Sequence, residues 1–432
     1  MNSSPHPRAY AEAMNHPLPT HALTRLTLEN FRNYRALTLE VGVRPVLLTG
    51  KNGAGKTNLL EAISLLMPGR GFRNASLREL DYSSPSASPP YSPPPAGGIR
   101  QREQAKEIQK TLPPPAGGVG GGNGAANFDV KRSSPWVIHA EILTQGITHQ
   151  IGTGRATGEE GAREKRLLKI NGEQVRQQSE LTRHASIWWL TPAMDQLFNE
   201  GHSARRKFLD RLVYGFDPAH AARVSRYERA MRERNALLAE PVLTDSDWLA
   251  VLERQMAESA VAITTARQET IARICQTMEI MPGIFPYARM RLAPGAEGNI
   301  HKIAERLADF RGRDASAGRA ITGVHRAELE VIHSIKNARA EQCSTGEQKA
   351  LLLSILLAAA RAKTAHSGQP PVLLFDEVVA HLDVDKRAAL FDLISGAAIQ
   401  VWMTGTDAAD FQGLRDFATL LEIAEGRVVI RE

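Results

Sequence analysis

The sequence contains few of the residues that mark specialised classes of protein. Its 432 residues include two cysteines, and aromatic residues make up 6%. Cys275 and Cys343 lie far apart and form no CxxC pair, which excludes a disulfide scaffold or a cysteine zinc site and favours a reducing cytoplasm. No apolar run approaches the roughly eighteen residues that span a bilayer, and the N-terminus lacks a charged stretch followed by an apolar one. We therefore expect a cytoplasmic protein that is neither membrane-spanning nor secreted.

The remaining composition is that of a globular protein. Hydrophobic residues make up 42% and charged residues 23% of the chain, which excludes wholesale disorder. The length predicts two or three domains. With 53 Lys and Arg against 47 Asp and Glu, the net charge of +6 allows a polyanionic partner without requiring one.

Apolar periodicity predicts an α/β fold. A short buried strand at 46–48 runs into a glycine-rich turn, and helically spaced leucines follow it up to Leu66. Helix-rich sequence extends from about 204 to 281, and a strand is predicted at 285–292. The last third alternates helix, strand, helix and strand, with the strands at 372–375 and 400–404. This alternation is typical of a parallel sheet covered by helices.

One segment differs in composition from the rest. Residues 83–127 hold nine prolines and eight glycines, and the hexapeptide Pro-Pro-Pro-Ala-Gly-Gly begins at both Pro93 and Pro113. Such a segment cannot bury enough apolar surface to offset the entropy of ordering. We predict a flexible surface insertion.

The strongest chemical signal is a glycine-rich segment that matches the pattern GxxxxGK[ST]. It lies between a predicted strand and a predicted helix, as a phosphate-binding loop requires. Backbone N–H groups of such a loop can point at phosphate oxygens, and the helix N-terminus adds positive potential. Lys56 would bind the β- and γ-phosphates, and the Thr57 hydroxyl would be a ligand of Mg²⁺. The predicted cofactor-binding residues are Gly50, Lys51, Asn52, Gly53, Ala54, Gly55, Lys56 and Thr57.

Two carboxylates follow the predicted strand at 372–375. Such a strand delivers Asp376 and Glu377 to the carboxyl edge of a sheet, where doubly wound folds bind ligands. The pattern alone is common where a strand meets a solvated loop, but the phosphate loop upstream favours a functional interpretation. We predict Glu377 as the catalytic residue that polarises the attacking water, and Thr57 and Asp376 as the residues that hold Mg²⁺.

A third segment opens an apolar helix about thirty residues before Asp376. Ser344 followed by Glu347 forms a capping box, which is the ordinary start of a helix. A serine-capped helix N-terminus at which Gly346 permits close approach is also a site for an anion. We therefore predict that Ser344 and Gly346 bind nucleotide.

Together with Leu382 and Asp383, these motifs resemble the ATP-binding-cassette ATPases. In that superfamily the serine-glycine motif of one subunit contacts the γ-phosphate held by the phosphate loop of the other, so that a head-to-tail dimer encloses two ATP molecules. Lys56 and Ser344 are nearly 290 residues apart, which resembles the DNA-repair and chromosome-structuring branch more than transport cassettes. The resemblance implies an ABC-type P-loop ATPase head with an inserted helical arm domain.

Within that branch the chain resembles the RecF family over nearly all of residues 23–429, apart from the insertion. In one of the similar segments Val324 stands where proline is usual in the family. The similar segments are Asn30–Tyr34, Gly50–Ile63, Gly69–Arg73, Thr191–Asp195, Arg205–Asp210 and Gly323–Leu329.

The chain is predicted to divide into four parts. Polar, unpatterned composition predicts a disordered tail at residues 1–22, and the resemblance makes residues 23–200 the N-terminal part of the ATPase head, with the insertion inside it. Residues 201–335 would be the helical arm, and residues 336–432 the C-terminal part of the head.

The resemblance also implies a function in recombinational repair and replication. The protein would dimerise on ATP, bind DNA at single-strand gaps and promote loading of the RecA recombinase with RecO- and RecR-type mediators. Duplex DNA and gap junctions are the expected ligands, with single-stranded DNA as a further candidate and no membrane partner. The activity implied is that of a weak DNA-dependent ATPase in which hydrolysis acts as a timer.

Two features depart from the cassette pattern. Where many cassette ATPases have a switch histidine, this chain has Thr404-Gly405-Thr406-Asp407, so no γ-phosphate sensor is assigned. No glutamine stands out for the loop that links the metal to the helical lobe.

The basic residues of the helical region allow two interpretations, contact with DNA or a solvated helix face. Arginines spaced by three could meet phosphates, or they could form a solvated helix face that Glu228 and Glu233 partly neutralise. Trp188 and Trp189 are predicted as core and strand-edge residues, so a base-stacking platform is not expected. The basic residues concerned are Arg205, Arg206, Lys207, Arg223, Arg226, Arg229 and Arg232.

Two other functions use the same phosphate loop. An ATPase subunit of a membrane transporter would bind partners encoded elsewhere, but the long separation of Lys56 and Ser344 argues against it. A small-molecule kinase would not need Ser344 and Gly346. Stimulation of ATP turnover by DNA separates the transporter subunit from the repair function, and burst-like phosphoryl transfer to a metabolite would indicate the kinase.

Deletion of residues 83–127 is expected to leave the thermal unfolding midpoint almost unchanged, because the segment is predicted to pack against nothing. Calorimetry of the deletion variant beside the full chain measures this. A large fall in the midpoint would show that the segment is packed.

Overall fold

The computed structural model describes residues 18–83, 135–156, 164–239, 246–281, 283, 285–293, 295–379, 382–424 and 426–431. The predicted insertion, except Ser83, and most of the predicted tail lie outside these residues. In chain order the strands are β1 (His21–Phe31), β2 (Tyr34–Glu40), β3 (Val46–Thr49), β4 (Val137–Thr144), β5 (Ile147–Arg155), β6 (Arg166–Ile170), β7 (Glu173–Gln174), β8 (Ile187–Leu190), β9 (Ala288–Ala293), β10 (Glu328–His333), β11 (Ala338–Arg339), β12 (Val372–Phe375), β13 (Val401–Thr404), β14 (Thr419–Ala424) and β15 (Arg427–Arg431).

Helices connect and cover these strands. The α-helices are α1 (Lys56–Ser64), α2 (His202–Phe216), α3 (His220–Ala239), α4 (Ser246–Glu279), α5 (Ile300–Asp309), α6 (Arg311–Ala317), α7 (Thr345–Ser367) and α8 (Val384–Gly396). The short 3₁₀ helices are Gln178–Arg183, Pro192–Gln196, Val324–Arg326, Ala340–Gln342, Ala408–Phe411 and Arg415–Phe417.

The central sheet has the order β15-β14-β3-β13-β12-β8. All its neighbours are parallel except the hairpin of β14 and β15. Parallel strands buried on both faces read as continuous apolar runs, and each residue of β12 is fully buried. Side chains along β12 alternate between two cores: Leu374 joins α1 and the second sheet, whereas Phe375 joins α2, α7 and α8. This arrangement confirms the α/β prediction.

The second sheet is antiparallel, in the order β2-β1-β4-β5-β6-β7. Its last two strands are joined at Asn171 and Gly172, both with positive φ, as their Asn-Gly sequence predicts. Apolar side chains of this sheet share a core with α1, so the sheet packs beside the start of the first helix.

The helical region is built around α4. Its 34 residues correspond to a length of about 50 Å. It packs against α3 and α5 through a core that includes Met256, Ile263 and Ile303, and it also contacts α7. A small antiparallel sheet, in the order β11-β10-β9, lies beside it.

Several boundaries differ from the sequence predictions. The first strand begins at His21, inside the predicted tail, because His21 pairs with Thr144 of β4, a contact that local sequence does not show. Helix α1 ends at Ser64, before Leu66, the last of the helically spaced leucines. Trp188 and Trp189 are buried on the edge strand β8, as predicted.

No helix in the described ranges is both long enough and apolar enough to cross a membrane.

A buried ionic network holds the helical region together. The fully buried guanidinium of Arg234 donates to Glu253 at 3.0 Å, to Asp314 at 2.6 Å and to the carbonyl oxygen of Leu307 at 2.6 Å. Arg311 donates to the same Glu253 at 2.6 Å. The network therefore joins α3, α4 and α6, and the charges of Arg234, Glu253 and Asp314 in it are buried.

Arg234→Ala is expected to lower the free energy of unfolding by about 3–5 kcal/mol, because it leaves Asp314 and part of Glu253 as buried unpaired carboxylates. Chemical denaturation measures the loss. Arg232→Ala, on an exposed face of the same helix, is the matched control and should change stability by less than about 0.5 kcal/mol. Equal midpoints for the two variants would contradict the role given to the network.

Candidate functional site

The predicted site residues from both ends of the chain meet at the carboxyl edge of the central sheet. Strand β13 lies between β3, which leads into the phosphate loop, and β12, which leads into Asp376 and Glu377. Because these three strands are parallel, the segments after them emerge on the same side. The sheet therefore brings together groups more than three hundred residues apart in the chain.

The glycines of the phosphate loop are required by their surroundings. Gly50 and Gly55 have φ of +138° and +117°, which favours glycine. A Cβ at Gly50 would lie 2.2 Å from the carbonyl oxygen of Ile423, and one at Gly55 would lie 2.4 Å from Asn33 Nδ2. The loop thus runs against β14 on one side and the turn between β1 and β2 on the other.

The turn after β1 supports the loop through side chains that the sequence motifs alone did not assign. Asn33 Nδ2 donates to the carbonyl oxygen of Ala54 at 3.0 Å, and the Tyr34 hydroxyl donates to that of Gly55 at 3.1 Å. Asn58 on α1 donates to Asn33 Oδ1 at 2.7 Å. These hydrogen bonds fix the end of the loop and the first turn of α1.

A second set of contacts ties α1 to the segment that follows it. Glu61 is fully buried, and its two carboxylate oxygens accept from Arg32 at 2.9 Å. Arg73 donates to Glu61 at 3.1 Å and to Asn58 at 2.7 Å. The Asn30–Tyr34 and Gly69–Arg73 segments are therefore bonded to the same helix.

Lys56 is buried at the start of α1, and its Nζ donates to the carbonyl oxygens of Gly50 at 2.6 Å and Lys51 at 3.0 Å. Burial lowers the pKa of Lys56, while the negative charges of Glu377 and Asp376 oppose that shift. The ammonium thus lies inside the loop and faces the two carboxylates.

Thr57 and Asp376, the predicted metal residues, are in direct contact. The Thr57 hydroxyl donates to Asp376 Oδ1 at 3.0 Å. Burial raises the pKa of Asp376, and the hydroxyls of Thr404 and Thr57 act in the opposite direction. A hydroxyl and a carboxylate are hard oxygen donors of the kind that Mg²⁺ prefers, so these residues fit that ion.

Glu377 is half-buried and has an unusual backbone conformation. Its φ of +53° is uncommon for a residue with a side chain. Its N–H donates to the Thr404 hydroxyl at 2.8 Å. Thr404 also donates to Asp376 Oδ1 at 2.8 Å, so it contacts both acidic residues. In the sequence, Thr404 stands out only because a switch histidine is absent there. A polar residue at the end of a buried strand is the signal that could have indicated its contacts.

The predicted nucleotide residues Ser344 and Gly346 lie apart from this cluster, at the exposed N-terminus of α7. The Ser344 N–H donates to Glu347 Oε2 at 3.0 Å, which is one half of the predicted capping box. A Cβ at Gly346 would meet no atom within 4 Å. In the described part of the chain, no hydrogen bond joins Ser344 or Gly346 to the phosphate loop.

The basic residues divide into buried and exposed groups. Arg205 is buried and donates to Glu328 at 2.9 Å and to the carbonyl oxygen of Phe198 at 2.7 Å, so it is not available to DNA, contrary to one of the two readings. Arg226 and Arg229 are exposed on α3. Sequence spacing could not separate the two groups, because it shows charge without burial.

The sequence is similar to known proteins over nearly its whole length. A family model described as AAA domain matches residues 25–86. The DNA replication and repair protein RecF of Rhizobium etli (strain CIAT 652) is 42% identical over 417 residues, covering 94% of this chain and 98% of its own. RecF of Rhizobium meliloti (strain 1021) is 41% identical over 417 residues with the same coverage.

The fold is also known. The structure titled "recombination mediator protein RecF-ATP in RecFOR pathway" superposes with a TM-score of 0.73 at 21% identity, covering 97% of this chain and 100% of that one. The fold is thus that of an ABC-type ATPase, and the sequence similarity over nearly the whole chain shows that this protein belongs to the RecF family.

Proposed function

We propose that this chain is an ATP-dependent DNA-binding protein of recombinational repair and replication. In this function it dimerises on ATP, binds DNA at single-strand gaps and promotes RecA loading together with RecO- and RecR-type mediators. The observation that carries the proposal is the contact of Thr57 with Asp376 beside the phosphate loop. Similarity to RecF proteins over 94% of the chain supplies the biological context. The same similarity favours a function in DNA repair in the cytoplasm over that of an ATPase subunit of a membrane transporter.

Nucleotide binding would use the phosphate loop and the first turn of α1. The N–H groups of Gly53, Gly55 and Lys56 lie close together in the loop, and a Cβ at Gly53 would meet no atom within 4 Å, which leaves space for phosphate oxygens there. The Lys56 ammonium would exchange its two carbonyl contacts for phosphate oxygens. Thr57 and Asp376 would hold Mg²⁺, which when bound neutralises charge on the phosphates.

Hydrolysis would depend on Glu377. Its carboxylate has no hydrogen bond or ion pair to the described residues, and it lies close enough to Lys56 to affect its pKa. An unpartnered carboxylate at this place can accept the proton of an attacking water as the phosphate bond breaks. With hydrolysis slow, ATP acts as a timer for a conformational state.

Dimerisation would complete the site. Ser344 and Gly346 are exposed, and Glu347 beside them forms an ion pair with Lys336, which offsets a negative charge that would repel phosphate. An exposed helix N-terminus away from its own phosphate loop suits contact with the nucleotide of a second copy. We propose that the four-part division of the chain follows the same plan, with residues 201–335 inserted as an arm between the two parts of the head.

DNA would be held by the exposed arginines of the arm. Arg226 and Arg229 are three residues apart, share one face of α3 and have no ion pair among the described residues. Arg223 and Arg232 face Asp217 and Glu228 and are partly neutralised. Contacts of Arg226 and Arg229 with phosphates would make binding fall with increasing salt.

Lys56→Ala is expected to weaken ATP binding at least 100-fold, because it removes the cation that faces the phosphates. This corresponds to a loss of about 2.7 kcal/mol. Equilibrium binding of a fluorescent ATP analogue measures the effect, and Lys169→Ala on the second sheet is the control. Unchanged affinity in the Lys56 variant would contradict the site.

Glu377→Gln is expected to retain ATP binding and to accumulate a dimer, because hydrolysis no longer releases it. Analytical ultracentrifugation with and without ATP and duplex DNA, at two salt concentrations, measures the change. Ser344→Arg in the same background should bind ATP yet remain monomeric, whereas Ser225→Arg should still dimerise. A protein that stays monomeric with saturating ATP and DNA refutes the proposed dimer.

A further inference from the structure

Thr404 occupies a central place in the candidate site. It is the last residue of β13, and it pairs with Leu48 of β3 on one side while its side chain contacts Asp376, directly after β12, on the other. The next residue, Gly405, donates its N–H to the Leu48 carbonyl oxygen at 3.0 Å. A Cβ at Gly405 would lie 2.6 Å from the Phe411 ring, so the chain beyond Thr404 is also closely packed.

The hydroxyl of Thr404 uses both of its capacities. It donates its single hydrogen to Asp376 Oδ1 at 2.8 Å and accepts the N–H of Glu377 at 2.8 Å. Thr404 is 1% exposed, so water does not compete for these bonds. Asp376 Oδ1 also accepts from Thr57 at 3.0 Å, whereas Oδ2 accepts no hydrogen bond from the residues that the structure describes.

The bond to the Glu377 N–H coincides with a strained backbone. Glu377 has φ of +53°, in the left-handed region that a residue with a side chain rarely adopts. Such a conformation persists only when the surroundings hold it. Because the peptide nitrogen and Cβ of Glu377 are both bonded to its Cα, a hydrogen bond that holds the N–H restricts the direction of the Cα–Cβ bond, from which the carboxylate extends.

We propose that Thr404 is a positioning residue for ATP hydrolysis, whose hydroxyl holds Asp376 and the strained Glu377 backbone in the geometry that aims the Glu377 carboxylate. Thr404 does not touch substrate in this proposal and acts through its two neighbours. The inference rests on the proposed ATPase function and adds a residue to it.

The test compares two substitutions at this position. Thr404→Val keeps the shape of the side chain and removes the hydroxyl, and Thr404→Ser keeps the hydroxyl and removes the methyl group. For Thr404→Val we expect kcat for ATP hydrolysis to fall at least tenfold while the Kd of a fluorescent non-hydrolysable ATP analogue changes less than threefold. For Thr404→Ser we expect kcat within about threefold of the wild-type value. Thr38→Val, an exposed Thr-to-Val exchange on β2, controls for the exchange itself.

Each result decides the proposal. A wild-type kcat in Thr404→Val refutes it, and so does an equal fall in ATP affinity and kcat, which would show a general structural role. If Thr404→Val does not fold, a tenfold fall of kcat in the folded Thr404→Ser variant still refutes it, because the hydroxyl is present there. Wild-type protein that binds ATP but does not hydrolyse it refutes both this role and the hydrolysis in the proposed function, whereas hydrolysis with an unaffected Thr404→Val variant refutes only the role of Thr404.

Discussion

The candidate site depends on a single carboxylate oxygen. Asp376 Oδ1 accepts hydroxyl hydrogens from Thr57, 319 residues away, and from Thr404, 28 residues away. A buried carboxylate is costly unless it is hydrogen-bonded, and burial alone raises the pKa of Asp376. The two hydroxyls offset that cost only if β3, β13 and β12 end side by side. The hydrogen bonds that stabilise the buried Asp376 carboxylate therefore require this order of the parallel strands.

Sequence patterns predicted those parts of the site that are formed by residues adjacent in the chain. The phosphate loop follows from its glycines and the flanking apolar pattern, and the buried strand before Asp376 follows from four consecutive apolar residues. The supports from Asn33 and Tyr34 could not be predicted in this way, because they arise when the second sheet packs beside α1. The early start of β1 has the same cause, since its partner is β4.

The segments 205–210 and 323–329 contact each other, which their sequence motifs alone do not show. Arg206 donates to the Ala327 carbonyl oxygen at 2.9 Å, and Arg267 joins Asp210 to the Val324 carbonyl oxygen at distances of 2.8 to 2.9 Å. The two segments thus bind each other across the base of the helical region. Arg205 and Arg206, which in the sequence resemble part of a phosphate-binding surface, thus bond to the segment 323–329.

The contact between segments 205–210 and 323–329 is connected through bonded residues to the exposed segment at Ser344. Glu328, which accepts from Arg205, begins β10, and the turn after β10 carries Lys336. The hydrogen bond from Lys336 holds the pKa of Glu347 at about 2, so the pair keeps its opposite charges across physiological pH. Glu347 in turn accepts from the Ser344 N–H. Ser344 is therefore connected to the turn after β10 through bonded groups, whereas the phosphate loop lies between β14 and the turn after β1. The two groups that the proposed dimer would bring to one nucleotide are thus fixed by different contacts: Ser344 through Glu347 and Lys336, and the phosphate loop through Asn33 and Tyr34.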